Sequence, residues 1–242
     1  MPAIIAHRGY SAAYRENSPA AWQGAIEADA DVIEIDVRRS ADGIFVCCHD
    51  ADLKIAGHSG LIKHMTVAEI SEFSAGGHTA APRLEEAFSV ISPATAILFD
   101  VKDESHIALL ELHEYSHLFS EHRLIFGLHS LEAVRTLRAL GDAEILGLLN
   151  GEEAEDEVFF DAGGNILRLW ESMTTDKRTC NLRNRGHELW MTAGGWGTGR
   201  EVGEFDAGNI RSYIDAGISG FLVNDPKVAR VALGPCGPGY AK

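Results

Sequence analysis

Segments with strand composition alternate with helix-forming segments along most of the chain, and this alternation constrains the fold more than any other feature. Because strands that alternate with helices form parallel sheets, the pattern predicts an α/β protein. The predicted helices cover residues 20–28, 67–73, 84–91, 104–119, 131–140, 177–186 and 209–216. The predicted strands cover residues 3–6, 32–37, 44–48, 96–101, 124–128, 144–149, 165–170, 188–192 and 220–223.

The strand at residues 44–48 differs from the others in its connection. The polar segment 38–43 that precedes it is too short for the crossover of about a dozen residues that parallel neighbours require. We therefore expect a hairpin turn centred on Ala41 and Asp42, which brings His49 back to the level of Glu34. Without this arm eight strands remain, so the chain is predicted to form a (β/α)8 TIM barrel with an antiparallel hairpin arm after the second barrel strand. Its 242 residues match one domain over residues 1–242.

Two carboxylates interrupt the apolar run at residues 32–37. Glu34 and Asp36 lie two residues apart, so on a strand they point to the same side, while Ile33, Ile35 and Val37 face the other way. Two carboxylates that converge repel each other unless a cation lies between them. Oxygen ligands favour Mg²⁺ or Ca²⁺ over zinc. The alternative is a solvent-facing strand edge with two ordinary acids.

Two histidines flank this acidic pair. His7 ends the first strand in the stretch Ala-His-Arg-Gly, where Gly9 permits a sharp turn and the planar Arg8 guanidinium suits a phosphate group. His49 follows the hairpin arm. A single histidine at a strand end is usually structural, but two of them beside an E-x-D pair indicate acid–base chemistry.

These motifs resemble the signature of the glycerophosphodiester phosphodiesterase family, in order and spacing. The resemblance extends to short motifs through most of the sequence, including a helix start at residues 82–86 and a strand at residues 99–102. The N-terminal motifs are His7-Arg8-Gly9, Glu16-Asn17-Ser18, Glu34-x-Asp36, Asp42-Gly43 and His49-Asp50, and the C-terminal ones are Leu189-Trp190-Met191-Thr192 and residues 220–226.

The resemblance implies metal-dependent hydrolysis of glycerophosphodiesters to glycerol 3-phosphate and an alcohol, in lipid and glycerol metabolism. It implies that His7 and His49 are the general acid and base, in an order that the sequence leaves open. Water attacks directly, or the free hydroxyl of the glycerol attacks first and forms a cyclic phosphate. The implied ligands of one divalent cation, Mg²⁺ or Ca²⁺, are Glu34, Asp36 and Asp100, and the implied phosphate-binding cations are Arg8 and Lys102.

Two positions depart from the family pattern. Asp100 replaces the usual Glu, which shortens the reach of the third ligand by one methylene. His129 lies where the family has a Ser-Phe pair, so it either contacts substrate or faces solvent. Glu16 and Asn17 either orient Arg8 or the metal ligands, or only begin a helix.

Three further residues near strand ends have open roles. Trp170 and Trp190 are candidate walls for the alcohol group of the substrate, although large aromatic residues there also pack in cores. Arg168 lies inside the strand at residues 165–170, so it points either into the barrel or toward the outer helices. If it points inward, it could meet a second anionic group.

The formal net charge of −15 argues against binding nucleic acid or an anionic membrane surface. We expect a small-molecule glycerophosphodiester as partner, and a homo-oligomer stays open. The four Cys include no C-x-x-C pair and are predicted to be unpaired small hydrophobic residues. His7 lies too close to the start for a preceding signal peptide, which predicts a cytoplasmic protein.

Three other functions remain open at this point. A barrel of this kind could act as a lyase that stops at the cyclic phosphate. It could also hydrolyse another small phosphodiester, such as a sugar phosphodiester. A third alternative is a barrel that binds phosphodiesters without turnover, with Asp100 as the first sign of lost activity.

Overall fold

In the computed structural model, which describes residues 1–234, eight parallel strands close into a barrel. The barrel strands follow one another in sequence order, and the first strand pairs with both the second and the last. The predicted TIM barrel is confirmed. Its strands are β1 (Ala3–Ala6), β2 (Val32–Arg39), β8 (Ala96–Val101), β9 (Leu124–Leu128), β10 (Glu144–Gly147), β11 (Ile166–Trp170), β12 (Glu188–Thr192) and β13 (Gly220–Val223).

Helices follow the barrel strands, and short irregular pieces fill the segment after the hairpin arm. The α-helices are α1 (Pro19–Glu27), α2 (Val67–Ser71), α3 (Leu84–Val90), α4 (His106–Ser116), α5 (Leu131–Leu140), α6 (Glu153–Asp161), α7 (Asp176–Asn184), α8 (Ile210–Asp215) and α9 (Pro226–Leu233). The 3₁₀ turns cover Lys54–Ala56, Ile62–His64, His117–Phe119 and Glu171–Met173. The strands outside the barrel are β3 (Phe45–Cys47), β4 (Asp52–Leu53), β5 (His58–Leu61), β6 (Ser74–Ala75) and β7 (His78–Thr79).

Two apolar layers hold the barrel together, and β2 contributes to both. Ile33, Ile35 and Val37 belong to the layer between the barrel and its helices, whereas Val32 belongs to the cluster inside the barrel. Because side chains alternate along a strand, Glu34 and Asp36 share the inward direction of Val32. Both carboxylates therefore point to the same side of the strand, as the sequence predicts, and the structure shows that this side is the barrel interior.

The predicted antiparallel hairpin arm forms, but its register differs by one residue, so that His49 comes level with Ile35 and not with Glu34. Strand β3 pairs antiparallel with β2, with Val37 opposite Cys47. The turn between them contains Gly43 at φ 82°, a left-handed conformation that favours glycine, and the Asp42 carboxylate accepts hydrogen bonds from the Ser40 hydroxyl at 2.7 Å and the Val67 N–H at 3.0 Å.

Two helices, α6 and α9, are absent from the sequence prediction. Helix α6 buries few residues, including Asp156 and Phe159, so its apolar periodicity is weak. Helix α9 begins with Pro226 and is capped by Asp225, whose carboxylate accepts the Val228 N–H at 3.0 Å. Asp225 thus has a structural role at the barrel's closing turn.

The cysteine prediction is confirmed in part. Cys47 and Cys48 are free and buried, but Cys180 is free and exposed. Cys236 lies outside the described residues. Within residues 1–234, no helix is long and apolar enough to cross a membrane. The single domain over residues 1–242 stays a prediction.

Candidate active site

A cavity of about 410 Å³ opens at the C-terminal ends of the barrel strands. Polar side chains from several strands and their following loops surround it, while apolar side chains from the barrel interior are also present. Among the residues predicted from sequence, the structure places His7, Arg8, Glu34, His49, Asp100, Lys102, His129 and Trp170 in its wall.

The three predicted metal ligands form one cluster. Glu34 and Asp36 lie on β2, and Asp100 is the register partner of Asp36 on β8. Each offers a carboxylate oxygen within 4.8 Å of the others. Glu34 and Asp36 are 2% and 1% exposed. Burial, together with the charges of Asp36 and Asp100, raises the pKa of Glu34 well above its usual value.

Lys102 and Arg8 offset part of this negative charge. The Lys102 ammonium lies 2.8 Å from Asp36 Oδ1 and 2.7 Å from Asp100 Oδ2, so it bridges the two strands. Arg8 Nε lies 3.3 Å from Asp36 Oδ2. Burial would lower the pKa of both cations, but Asp36 and its neighbouring carboxylates outweigh burial and raise the pKa of each.

The cluster fits a divalent cation. Glu34 Oε2 accepts the backbone N–H of Arg8 at 2.6 Å, while Glu34 Oε1 is buried without a hydrogen-bond partner in the part of the chain that the structure describes. A buried carboxylate oxygen without a partner is costly, and an oxygen-only donor set suits Mg²⁺ or Ca²⁺. Glu34, Asp36 and Asp100 are therefore suited to hold such an ion.

His7 is oriented by a residue at the other end of the chain. The Asn224 side-chain amide donates to the Val202 carbonyl at 2.7 Å, which turns Asn224 Oδ1 toward His7 Nδ1 at 2.8 Å. His7 must then carry its proton on Nδ1, which leaves Nε2 as an acceptor. Burial of the ring, with the adjacent charge of Arg8, lowers the pKa of His7 from 6.5 to about 4.

His49 reaches the same cavity from the hairpin arm. Its Nδ1 lies 3.0 Å from the Asp50 carboxylate, which orients the ring. The Arg38 guanidinium donates to the carbonyl of Cys48 at 3.1 Å and to that of His49 at 2.5 Å. The arm is thereby tied to β2 directly beside the acidic cluster.

A strained turn after β1 aims Arg8 at the acids. Arg8 has a positive φ of 57°, followed by Gly9 at 79°. A Cβ at Gly9 would lie 2.7 Å from the Ala21 backbone, so helix α1 leaves room only for glycine. Glu16 accepts from Arg8 Nη1 at 2.7 Å. Glu16 therefore orients Arg8, which is one of the two roles left open by the sequence.

Asn17 supports Asp36 from the same loop. Its amide nitrogen donates to Asp36 Oδ2 at 2.7 Å, and its carbonyl oxygen accepts the Asp36 N–H at 3.1 Å. Like Arg8, it has a positive φ, here 49°. This two-way contact fixes the carboxylate relative to the loop that carries Arg8.

His129 contacts the acidic cluster. Its Nε2 lies 2.7 Å from Asp100 Oδ1, and its backbone N–H donates to Glu104. Burial alone would raise the pKa of Asp100, but the hydrogen bond from His129 and the charge of Lys102 outweigh it and hold that pKa below its usual value. His129 therefore supports the shortened third ligand, and it also faces the cavity.

The two tryptophans have different positions. Trp170 lines the cavity, and its ring lies 4.1 Å from the Arg168 guanidinium carbon. Trp190 does not line the cavity: it is 1% exposed and packs inside the barrel, and its indole N–H donates to Glu188 at 2.9 Å. Because Glu188 begins β12, this bond draws Trp190 away from the mouth, so Trp190 is a core residue.

Sequence reasoning missed Asn224 and Arg38. Both act on the two histidines through hydrogen bonds, one to the His7 ring and one to the His49 carbonyl. The hairpin prediction placed Arg38 beside the arm, which could have identified it. Asn224 contacts a residue 217 positions away in sequence, and barrel closure between β1 and β13 was the available signal.

The fold and the site together define a TIM-barrel protein whose mouth combines a carboxylate cluster, two cations and two histidines. The model of the glycerophosphoryl diester phosphodiesterase family matches residues 7–149, and the chain belongs to this family. It is 42% identical over 76 residues to the probable glycerophosphodiester phosphodiesterase 1 of Mycobacterium tuberculosis, a match covering 31% of this chain and 28% of that protein.

A second curated relative is the glycerophosphodiester phosphodiesterase of Bacillus altitudinis, at 30% identity over 115 residues, 44% of this chain and 47% of the relative. The matches thus span less than half the length of these two relatives. Among solved structures, the glycerophosphodiester phosphodiesterase of Thermotoga maritima aligns over 97% of this chain and 99% of its own, with 26% identity and a TM-score of 0.77.

An Oleispira antarctica phosphodiesterase, solved with the product sn-glycerol-3-phosphate, aligns over 96% of this chain and 97% of its own. Its identity is 22% and its TM-score is 0.84, so this likeness supports the fold.

Proposed function

We propose that this chain hydrolyses glycerophosphodiesters to glycerol 3-phosphate and an alcohol. The observation that carries the proposal is the cluster of Glu34, Asp36 and Asp100, which Arg8 and Lys102 contact beside a cavity that His7 and His49 line. The names of the relatives support the same activity, as does the glycerol 3-phosphate product carried by the Oleispira antarctica enzyme.

The positive groups neutralise the phosphoryl oxygens of the substrate. Arg8 provides a planar pair of donors, and Lys102 provides a point charge beside the acids. When bound, a divalent cation held by Glu34, Asp36 and Asp100 would supply further positive charge to those oxygens. Arg8 and Lys102 also stabilise the charge that develops as the phosphodiester bond breaks.

The two histidines move protons. His7 has its proton held on Nδ1 by Asn224, so Nε2 can accept the proton of the attacking hydroxyl. This makes His7 the general base in our proposal. His49, oriented by Asp50, then donates a proton to the alcohol that leaves.

The attacking oxygen belongs either to a water molecule or to the free hydroxyl of the substrate glycerol. In the second case a cyclic phosphate forms first, and water then opens it. A chain that stops at the cyclic phosphate would be the lyase alternative. We propose complete hydrolysis of a small soluble diester by a single cytoplasmic domain over residues 1–242. We also propose that the protein binds no nucleic acid, in accordance with its net charge of −15.

The test measures glycerol 3-phosphate release from glycerophosphoglycerol and glycerophosphocholine, with Mg²⁺ or Ca²⁺, in an assay coupled to glycerol 3-phosphate dehydrogenase. Phosphorus NMR of the same reaction distinguishes a cyclic product from the open one. His7→Ala and His49→Ala should each lose at least about 100-fold in kcat, while the exposed His106→Ala serves as control. Near-native activity of either site variant would dismiss the acid–base assignment.

A further inference from the structure

Arg168 is a cation inside the barrel that the proposed chemistry does not use. It lies on β11 two residues after Ile166, which belongs to the apolar cluster inside the barrel, so Arg168 also points inward. The residue is 6% exposed and lines the cavity at the barrel mouth.

Two of the three guanidinium nitrogens of Arg168 have no hydrogen-bond acceptor among the described residues. Its Nε and Nη1 atoms are buried and donate to no acceptor among residues 1–234. The charge of the Asp100 carboxylate raises the pKa of Arg168, but Asp100 is already paired with Lys102 and His129. Burial lowers the pKa of Arg168 to about 10, so the group remains charged at neutral pH. A buried cation without a counter-ion is destabilising unless a ligand completes it.

The strand that carries Arg168 is not adjacent to the strands that carry the acidic cluster. The carboxylates lie on the neighbouring strands β2 and β8, with Arg8 and Lys102 beside them. Strands β9 and β10 lie between β8 and β11, so Arg168 faces the acidic cluster across the mouth. An anion at Arg168 therefore belongs to another part of the substrate than the phosphate at Arg8 and Lys102.

Trp170 strengthens this assignment. The Arg168 guanidinium already lies over its ring, at 4.1 Å from the centroid. A quaternary ammonium group such as that of choline binds to an aromatic face, and this face is occupied by a cation that would also repel it. The wall formed by Arg168 and Trp170 therefore favours an anionic alcohol group and disfavours a cationic one.

We propose that Arg168 binds a carboxylate or phosphate group on the alcohol portion of the substrate, so that this protein prefers diesters whose leaving alcohol is anionic. The proposal rests on the proposed function, since it assigns the second half of the same substrate. It names a specificity-determining residue at the opposite side of the mouth from the two histidines.

The experiment compares three diesters that share the sn-glycerol 3-phosphate half and differ in the alcohol, which is glycerol, glycerate or choline. The wild type should show the highest kcat/KM for the glycerate diester and the lowest for the choline diester. Arg168→Gln should lower kcat/KM for the glycerate diester by about 10- to 100-fold, because a charge-assisted hydrogen bond is lost, and change that for the glycerol diester by less than about threefold. The exposed Arg211→Gln is the matched control.

An equal loss for all three diesters would overturn the proposal, because Arg168 would then act on the reacting phosphate or on the fold. Unchanged ranking in Arg168→Gln would overturn it too. Thermal melting checks folding: Arg168→Gln should melt no lower than the wild type, since it removes an unpaired buried charge.

Calorimetric binding in the His7→Ala background separates the two proposals. The inference is supported if the glycerate diester binds more tightly than the glycerol diester and if this difference disappears when Arg168→Gln is added. That result would support it even if the wild type hydrolyses no diester and the proposed function fails. Equal binding of the glycerol and glycerate diesters overturns the inference, even if the wild type hydrolyses both.

Discussion

Glu34 provides the sharpest test of the candidate metal site, because its substitution should stabilise the protein while removing its response to cations. Glu34 is 2% exposed, its Oε1 has no hydrogen-bond partner among residues 1–234, and its pKa is raised above 4.5. A carboxylate with a raised pKa in the folded state costs stability once it ionises, so the cost is present at pH 8 and fades as the pH falls toward 4.5.

The magnitude follows from the burial of that charge. An unsatisfied buried group costs about 1–3 kcal/mol, and for a chain of this size each kcal/mol shifts Tm by about 2–4 °C. Without divalent cation at pH 8, Glu34→Gln should therefore melt about 2–12 °C above the wild type. At a cation concentration of about 100 times Kd, the wild type should gain about 2.7 kcal/mol, or about 5–11 °C, and the variant should gain far less.

The assay is thermal melting by circular dichroism at pH 8 and pH 5, with chelator, Mg²⁺ or Ca²⁺. The exposed Glu72→Gln is the matched control and should behave like the wild type. The reasoning would be refuted if Glu34→Gln melted below the wild type in chelator at pH 8. It would equally be refuted if the variant kept the full cation-induced shift.

Three further predictions concern the groups around the acidic cluster. Lys102→Met should lower kcat by about 100-fold or more, because the charge that bridges Asp36 and Asp100 at 2.8 and 2.7 Å is lost; a kcat within threefold of wild type in the coupled assay would contradict this role. Asn224→Ala should reduce kcat by about 10- to 100-fold with little change in KM, because His7 loses the acceptor that fixes its tautomer; an effect on KM alone would argue against it. Since the pKa of His7 falls from 6.5 to about 4, its contribution to stability is full above pH 6.5 and is lost as the pH falls toward 4, by up to about 3 kcal/mol, so denaturant titrations should show a weaker pH dependence for His7→Gln over that range.

The barrel was predictable because its strands are short apolar runs whose alternation with helices admits few arrangements. The prediction failed for α6, whose acidic first turn and few buried residues leave little periodicity. Within the site, strand period two was enough to place Glu34 and Asp36 on the same side of the strand. It could not fix the position of Trp190, because period two gives the direction of a side chain but not the end of the barrel toward which it leans.

Contacts between distant loops were the other limit. The role of Glu16 depends on a left-handed turn at Arg8, and nothing in local propensity predicts a positive φ for arginine. The contact between His129 and Asp100 requires two loop conformations to agree across neighbouring strands. The sequence was sufficient to locate the acidic cluster, its two cations and the two histidines, whereas Asn224 and Arg38, which orient the histidines, were found only in the structure.

The contact between His7 and Asn224 joins the first barrel strand to the last. During synthesis, the His7 ring therefore lacks its hydrogen-bond partner Asn224 until the last barrel strand has docked. The family model, in contrast, matches only residues 7–149. Catalytic activity should consequently appear only after the barrel has closed. A chain shortened before residue 220 should be inactive even if its remaining strands assemble.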